Sequence, residues 1–141
     1  MITVNALNYT SYIAFNGNIA NFEYFYQNGT IIPAWIESNI SNRIITWVKV
    51  SNTIFPNTGS SSATNTIYLG FASKTTNLLS NSGTSGIGEA PQLSCQNPAN
   101  TIGCSTYAEY DDGASAFNNY WNFAGTSLPS GWTQSNGGTA S

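Results

Sequence analysis

Histidine is absent from this 141-residue sequence, and charge is scarce. Three basic residues, Arg43, Lys49 and Lys74, stand against six acids, for a net charge of −3. Charged side chains make up 6% of the chain, against roughly a quarter in an ordinary soluble domain. Three scattered cations cannot neutralise a phosphate backbone, which excludes nucleic-acid binding. Without histidine there is no Ser-His-Asp or Cys-His nucleophile and no His-ligated zinc or copper. Long apolar runs are also missing. None approaches the ~20 residues of a membrane helix, so no membrane insertion of this segment is expected. The opening MITVNALNYT has neither the basic nor the apolar region of a signal peptide, so export would require a mature protein or an excised module. Helix formers are sparse, and no long stretch shows a 3.6-residue period.

In their place stand 53 Asn, Ser and Thr residues, with an apolar fraction of 40%. That fraction can build a core, and the length suits a single domain. Residues 1–133 read as one module and 134–141 as a polar tail or the start of a linker. Short strand signals recur: Ile2–Leu7, Tyr12–Phe15, Phe22–Tyr26, Ile31–Glu37, Ile44–Val50 and Thr66–Phe71. The turn Gln27-Asn28-Gly29 is a hairpin signal, and Pro33 places its segment on an edge or at a bulge. In the fifth run Ile45, Trp47 and Lys49 share one face, opposite Ile44, Thr46, Val48 and Val50. Beyond residue 72 the pattern loosens. One helical turn is expected at Asn77–Leu79, and short closing strands at Tyr107–Tyr110, Ala116–Trp121 and Gly131–Thr133. The fold class predicted is all-β: an antiparallel β-sandwich, jelly-roll-like.

Cys95 and Cys104 are separated by a loop containing Asn97-Pro98 and Gly103 that can bring them within disulfide reach. The alternative is two free thiols; a metal site would need further ligands. A disulfide implies an oxidising, extracellular or cell-surface setting. Three sequons, at Asn8, Asn28 and Asn39, agree with that setting, although an Asn/Ser/Thr-rich chain also produces sequons by chance.

The acids are Glu23, Glu37, Glu89, Glu109, Asp111 and Asp112. Glu23 and Glu37 flank the expected hairpin, with residue 23 opposite about residue 34 or 35. A glycosidase needs two facing carboxylates about 5–9.5 Å apart; the offset reading is a pair of exposed edge charges, and no enzymatic activity is expected. Glu109-Tyr-Asp-Asp-Gly113 is the one local acid cluster. Asp111 and Asp112, with Asn118 or Asn119, are weak calcium candidates. The alternative is an Asp-Asp-Gly turn with Gly113 at positive φ. Otherwise no cofactor is implied.

Aromatic residues number 19. Stacking rings beside Asn, Ser and Thr are the ingredients of sugar binding. Trp35 and Trp47 are assigned to the core. Tyr24, Tyr26, Tyr107, Tyr110, Tyr120 and Trp121 are the exposed candidates, the last four forming the candidate carbohydrate site. Phe22, Tyr24 and Tyr26 share a strand face opposite Glu23 and Phe25, and one of these faces must be core. Edges poor in lysine lack the usual protection against strand pairing between chains. Ile2–Leu7 could be a strand donated to a neighbouring subunit; the alternative is ordinary pairing within its own sheet.

The stretch NFEYFYQNGTIIPAWIESNISNRIITWVKV, followed by NTIYLGFASKTTNLLS, resembles the domain of unknown function 2341 family. GEAPQLS and YAEYDDGASAFNNYWNFAGTSLPSGWT resemble its junction toward concanavalin-like, laminin-G-type lectin domains in archaeal surface proteins. The resemblance covers residues 1 to about 133. It implies a β-sandwich module of large secreted surface proteins and no known activity. The Cys95–Cys104 loop departs from the pattern as an insertion. Together these readings predict a non-enzymatic structural or adhesion module of an archaeal cell-surface or filament-forming protein. It would act by self-association or by packing on other surface-protein modules. The alternative is a carbohydrate-binding, lectin-like module with a glycan ligand.

Overall fold

The computed structural model describes residues 1–15, 19–51, 66–91, 107–123 and 126–133. Cys95, Cys104, the Pro56–Thr64 turn region and the tail 134–141 lie outside the described residues. The fold is all-β in two small sheets. One has the order β1 (Ile2–Asn5), β4 (Arg43–Val48), β3 (Ala34–Ile40), β6 (Gly88–Glu89); the other pairs β2 (Phe22–Phe25) with β5 (Tyr68–Phe71). Among the described strands the pairings are antiparallel except β3 with β6, which is parallel, as is the isolated bridge Leu79–Ile87. This departs from the expected purely antiparallel arrangement.

The Asn28-Gly29 turn forms as expected. Tyr26 N–H donates to Thr30 O, Asn28 Oδ1 accepts from Thr30 N–H, and Gly29 takes φ 82°. The pairing ends at Ile32, whose N–H still reaches Tyr24 O. Pro33, with no N–H to give, marks the crossing to the other sheet, and β3 begins one residue later. A second hairpin joins β3 to β4 through Ser41 and Asn42, at φ 53° and 65°. Two consecutive positive φ values are the signature of a type I′ turn, whose twist matches that of the strands.

Alternation sets which rings enter the core. Phe22 and Tyr24 on β2 are buried, as are Ile44 and Thr46 on β4, together with Ile32, Ala34, Ile36 and Ile87. Tyr24 is thus a core residue rather than an exposed one. Its hydroxyl donates to Thr46 Oγ1 at 2.7 Å, and Thr46 in turn donates to Ile2 O at 3.2 Å. This chain joins the two sheets across the interior. Trp47 and Trp35 are the opposite correction. They are cross-strand partners on the outer face, and Trp47 is 37% exposed. Period-2 alternation leaves no choice once Ile44 and Thr46 face inward.

Elsewhere the expected elements give way to polar ties. Ala6–Tyr9 forms a 3₁₀ turn that ends β1 early. The Tyr12–Phe15 run makes only an isolated bridge, Phe15 to Ala20. Residues 77–79 form no helical turn; Asn77 Oδ1 accepts from Ala20 N–H and Leu79 N–H. None of the three closing strands forms. Residues 107–110 are a turn, Gly113–Ala116 is the single-turn helix α1, and residues 131–133 are irregular.

The side chain of Asn21 is fully buried. Its Oδ1 accepts from Ala14 N–H, and its Nδ2 donates to Tyr12 O and Ala72 O. It binds the N-terminal irregular segment to the end of β5 through the start of β2. Asn21→Ala would orphan these backbone groups in a dry interior. It should lower stability by about 3 kcal/mol in urea unfolding, whereas Asn28→Ala on the exposed turn should change it by only about 0.5 kcal/mol.

Candidate functional site

Residues 111–120 lie against the outer face of β3 and are attached to it by a carboxylate. Asp111 Oδ1 accepts three hydrogen bonds: from Trp35 Nε1 at 3.0 Å, Tyr120 Oη at 2.8 Å and Gly113 N–H at 3.0 Å. Asp111 Oδ2 is buried and has no hydrogen-bond partner among the described residues. Glycine is required on both sides of this joint. A Cβ on Gly88 would sit 2.6 Å from Asp112 Cβ, and one on Gly113 would occupy the ring of Tyr120. Gly113 opens α1 and does not take the positive φ expected of an Asp-Asp-Gly turn.

The rings assemble in two groups. Trp35 and Trp47 both meet Phe117 edge-on, at centroid distances of 5.3 and 5.6 Å, and Tyr120 stacks on Phe117 at 5.9 Å. These are favoured geometries for aromatic pairs. Trp47 Nε1 also donates to Glu37, the extra residue of a β-bulge in β3. The second group is more open. Trp132 makes edge contacts with Trp121 at 5.6 Å and with Phe123 at 5.4 Å. Their exposures are 47%, 43% and 55%.

A cleft of about 380 Å³ opens here. Its lining comes from Asp111 and Ala114, from Tyr120 to Phe123, and from Ser127 to Pro129. Tyr107, 45% exposed, closes the segment by donating its hydroxyl to Asn122 O at 2.9 Å. Phe123 takes φ 54°. For a bulky residue this is a true outlier, and such strain concentrates at sites where it is used.

The candidate sugar-binding residues are therefore partly gathered and partly separated. Tyr120 and Trp121 line the cleft. Tyr107 braces it. Tyr110 packs against the core cluster. Sequence reasoning missed Phe123 and Trp132 as site residues: Trp132 falls in the expected closing strand Gly131–Thr133, which does not form, and Phe123 is an aromatic in a Gly-, Ser- and Pro-rich stretch with no strand pattern to bury it. Glu23 and Glu37 do not face each other. Glu23 pairs with Gly70 in the second sheet, while Glu37 serves Trp47 in the first. Among the described residues no group of three His, Cys, Asp or Glu side chains is placed to hold a metal ion, and no helix is long and apolar enough to cross a membrane. The sequon residues Asn8, Asn28 and Asn39 are all exposed.

Burial raises the Tyr120 hydroxyl far above the usual tyrosine range, with the Asp111 hydrogen bond and charge acting in the same direction. Burial also raises the carboxyl of Asp112. The Ser115 hydrogen bond opposes this and the Asp111 charge adds to it.

Comparison with family models, with curated proteins and with solved structures finds no match to this chain.

Asp112 gives a pH prediction. A carboxyl whose folded-state value is raised binds its proton more tightly when folded. Its contribution to stability rises as pH falls through the raised value and is complete below the ordinary range near ~3.9. Thermal melts from neutral pH down to about pH 3 should therefore show the native chain gaining stability relative to Asp112→Asn. A relative loss on acidification would contradict this.

Proposed function

We propose that this chain is a non-catalytic adhesion module of an exported surface protein, and that its contact site is the aromatic cleft, which takes sugar rings. The observation that carries the reading is the exposed trio Trp121, Phe123 and Trp132, set beside a cleft of about 380 Å³. Exposed rings supply flat apolar faces for the C–H side of a sugar. Polar residues of the lining such as Ser127, which is exposed, supply hydrogen-bonding groups, in the mixed apolar and polar character of small-molecule sites. Two of the acids are engaged in structure: Asp111 holds three donors and Glu37 accepts from Trp47. That supports binding over catalysis. The archaeal surface setting rests on the resemblance to the domain of unknown function 2341 family and on the composition. The jelly-roll sandwich belongs to the same proposal, supported by the core that the two sheets share. So do a Cys95–Cys104 disulfide and glycans at the exposed sequons, both fitting for an extracellular protein.

Isothermal titration against a panel of oligosaccharides tests this reading. Trp121→Ala and Trp132→Ala should each weaken binding by about tenfold, the usual scale for losing an aromatic anchor. Phe123→Asn should also weaken it while stability stays level or rises, since relief of the left-handed backbone offsets about 1 kcal/mol of lost contact. Absence of binding to every glycan would end the proposal.

A second reading, self-association, is supported by β1. It pairs within its own sheet, with β4, rather than leaving as a donated strand. No described strand covers its outer edge. Ile2-Thr3-Val4-Asn5 carries neither charge nor proline to discourage pairing. Beside it runs a groove of about 360 Å³ lined by Ile2, Val4, Tyr24, Ile67 and Leu69. The occupant proposed is an extended segment of a second copy. Light scattering should show concentration-dependent association that Thr3→Lys abolishes; a monomer at all concentrations would refute it.

A further inference from the structure

We infer that the aromatic cleft selects glycans without acidic groups and turns away uronate and sulfated sugars. This rests on the glycan reading above and adds to it the class of ligand. Charge carries the inference. Of the six acids in the chain, four converge at the joint behind the cleft. Asp111 lines it. Asp112 follows directly and lies within the field of Asp111. Glu109 precedes Tyr110 in the chain, and Glu89 N–H donates to Tyr110 O at 2.9 Å, which brings the fourth acid to the same joint.

No cation answers this cluster in the cleft lining. Lys74 is held by Thr10 O near the N-terminal turn, Arg43 begins β4 at the far end of the β3–β4 hairpin, and Lys49, one residue past β4 on the Trp47 side, is exposed and does not line the cleft. The ring faces act in the same sense. The face of an aromatic quadrupole is negative, so it attracts C–H groups and cations and repels anions. A polyuronate would bring one negative charge per sugar into this field, within a Debye length of about 8 Å at physiological salt.

The test compares ligands of equal length. Cello-, manno- and maltohexaose are titrated against hexagalacturonate, first at about 50 mM salt and then at about 500 mM. At low salt the best neutral hexaose should bind about tenfold tighter than the uronate, and the gap should narrow at high salt. Glu109→Gln should strengthen uronate binding roughly threefold and leave neutral binding unchanged. Uronate binding as tight as neutral binding at low salt overturns the selectivity and leaves the glycan reading standing. Failure of all four ligands, together with a wider neutral and acidic panel, removes both.

Discussion

The described segment from residue 107 to 123 depends on one carboxylate oxygen. Asp111 Oδ1 gathers an indole N–H from β3, a backbone N–H from the start of α1 and a phenol from residue 120. Residues 107–133 form no strand among those described and have no ladder to hold them. A hydrogen bond to a charged acceptor is worth roughly twice a neutral one, and three converging on a single atom fix the approach of three segments together. Everything that shapes the cleft follows from that attachment. Tyr120 is held against Phe117, the next residue, Trp121, is exposed, and Trp132 meets both Trp121 and Phe123 edge-on.

The rest of the fold uses the same device in a drier setting. Asn21 and the Tyr24–Thr46–Ile2 chain join segments that no β-ladder connects. Short strands of two to seven residues bury limited apolar area, so satisfied internal amides and hydroxyls carry much of the specificity. This gives the richness in Asn, Ser and Thr a second meaning. These residues replace charge at the surface, and at buried positions they replace backbone pairing.

The acids show a comparable division. Glu37 sits in a bulge that turns it toward Trp47, and Asp112 is buried against α1. Their work is positional. An acidic joint behind an aromatic surface is also an electrostatic statement, because structural carboxylates placed there set the sign of the field that a ligand meets.

Local chemistry alone determined a good part of this protein. The near absence of helix, the Asn28-Gly29 turn and strands near Phe22, Ile44 and Tyr68 were legible, because turn residues and period-2 alternation are short-range signals. Exposure of Tyr107 and Trp121 was also legible. Which face of a strand is inside was not. The alternation separated Trp47 from Ile44 and Thr46, and only packing of the second sheet decided that Ile44 went in. Equally hidden were the crossing at Pro33, the parallel strand β6 and the Asp111 joint. Trp35 and Asp111 are 76 positions apart in the chain; a contact of that range leaves no trace in any local window. The residues of the cleft were written in the sequence, but tertiary structure brought them together, because a buried carboxylate must find its donors wherever the chain supplies them.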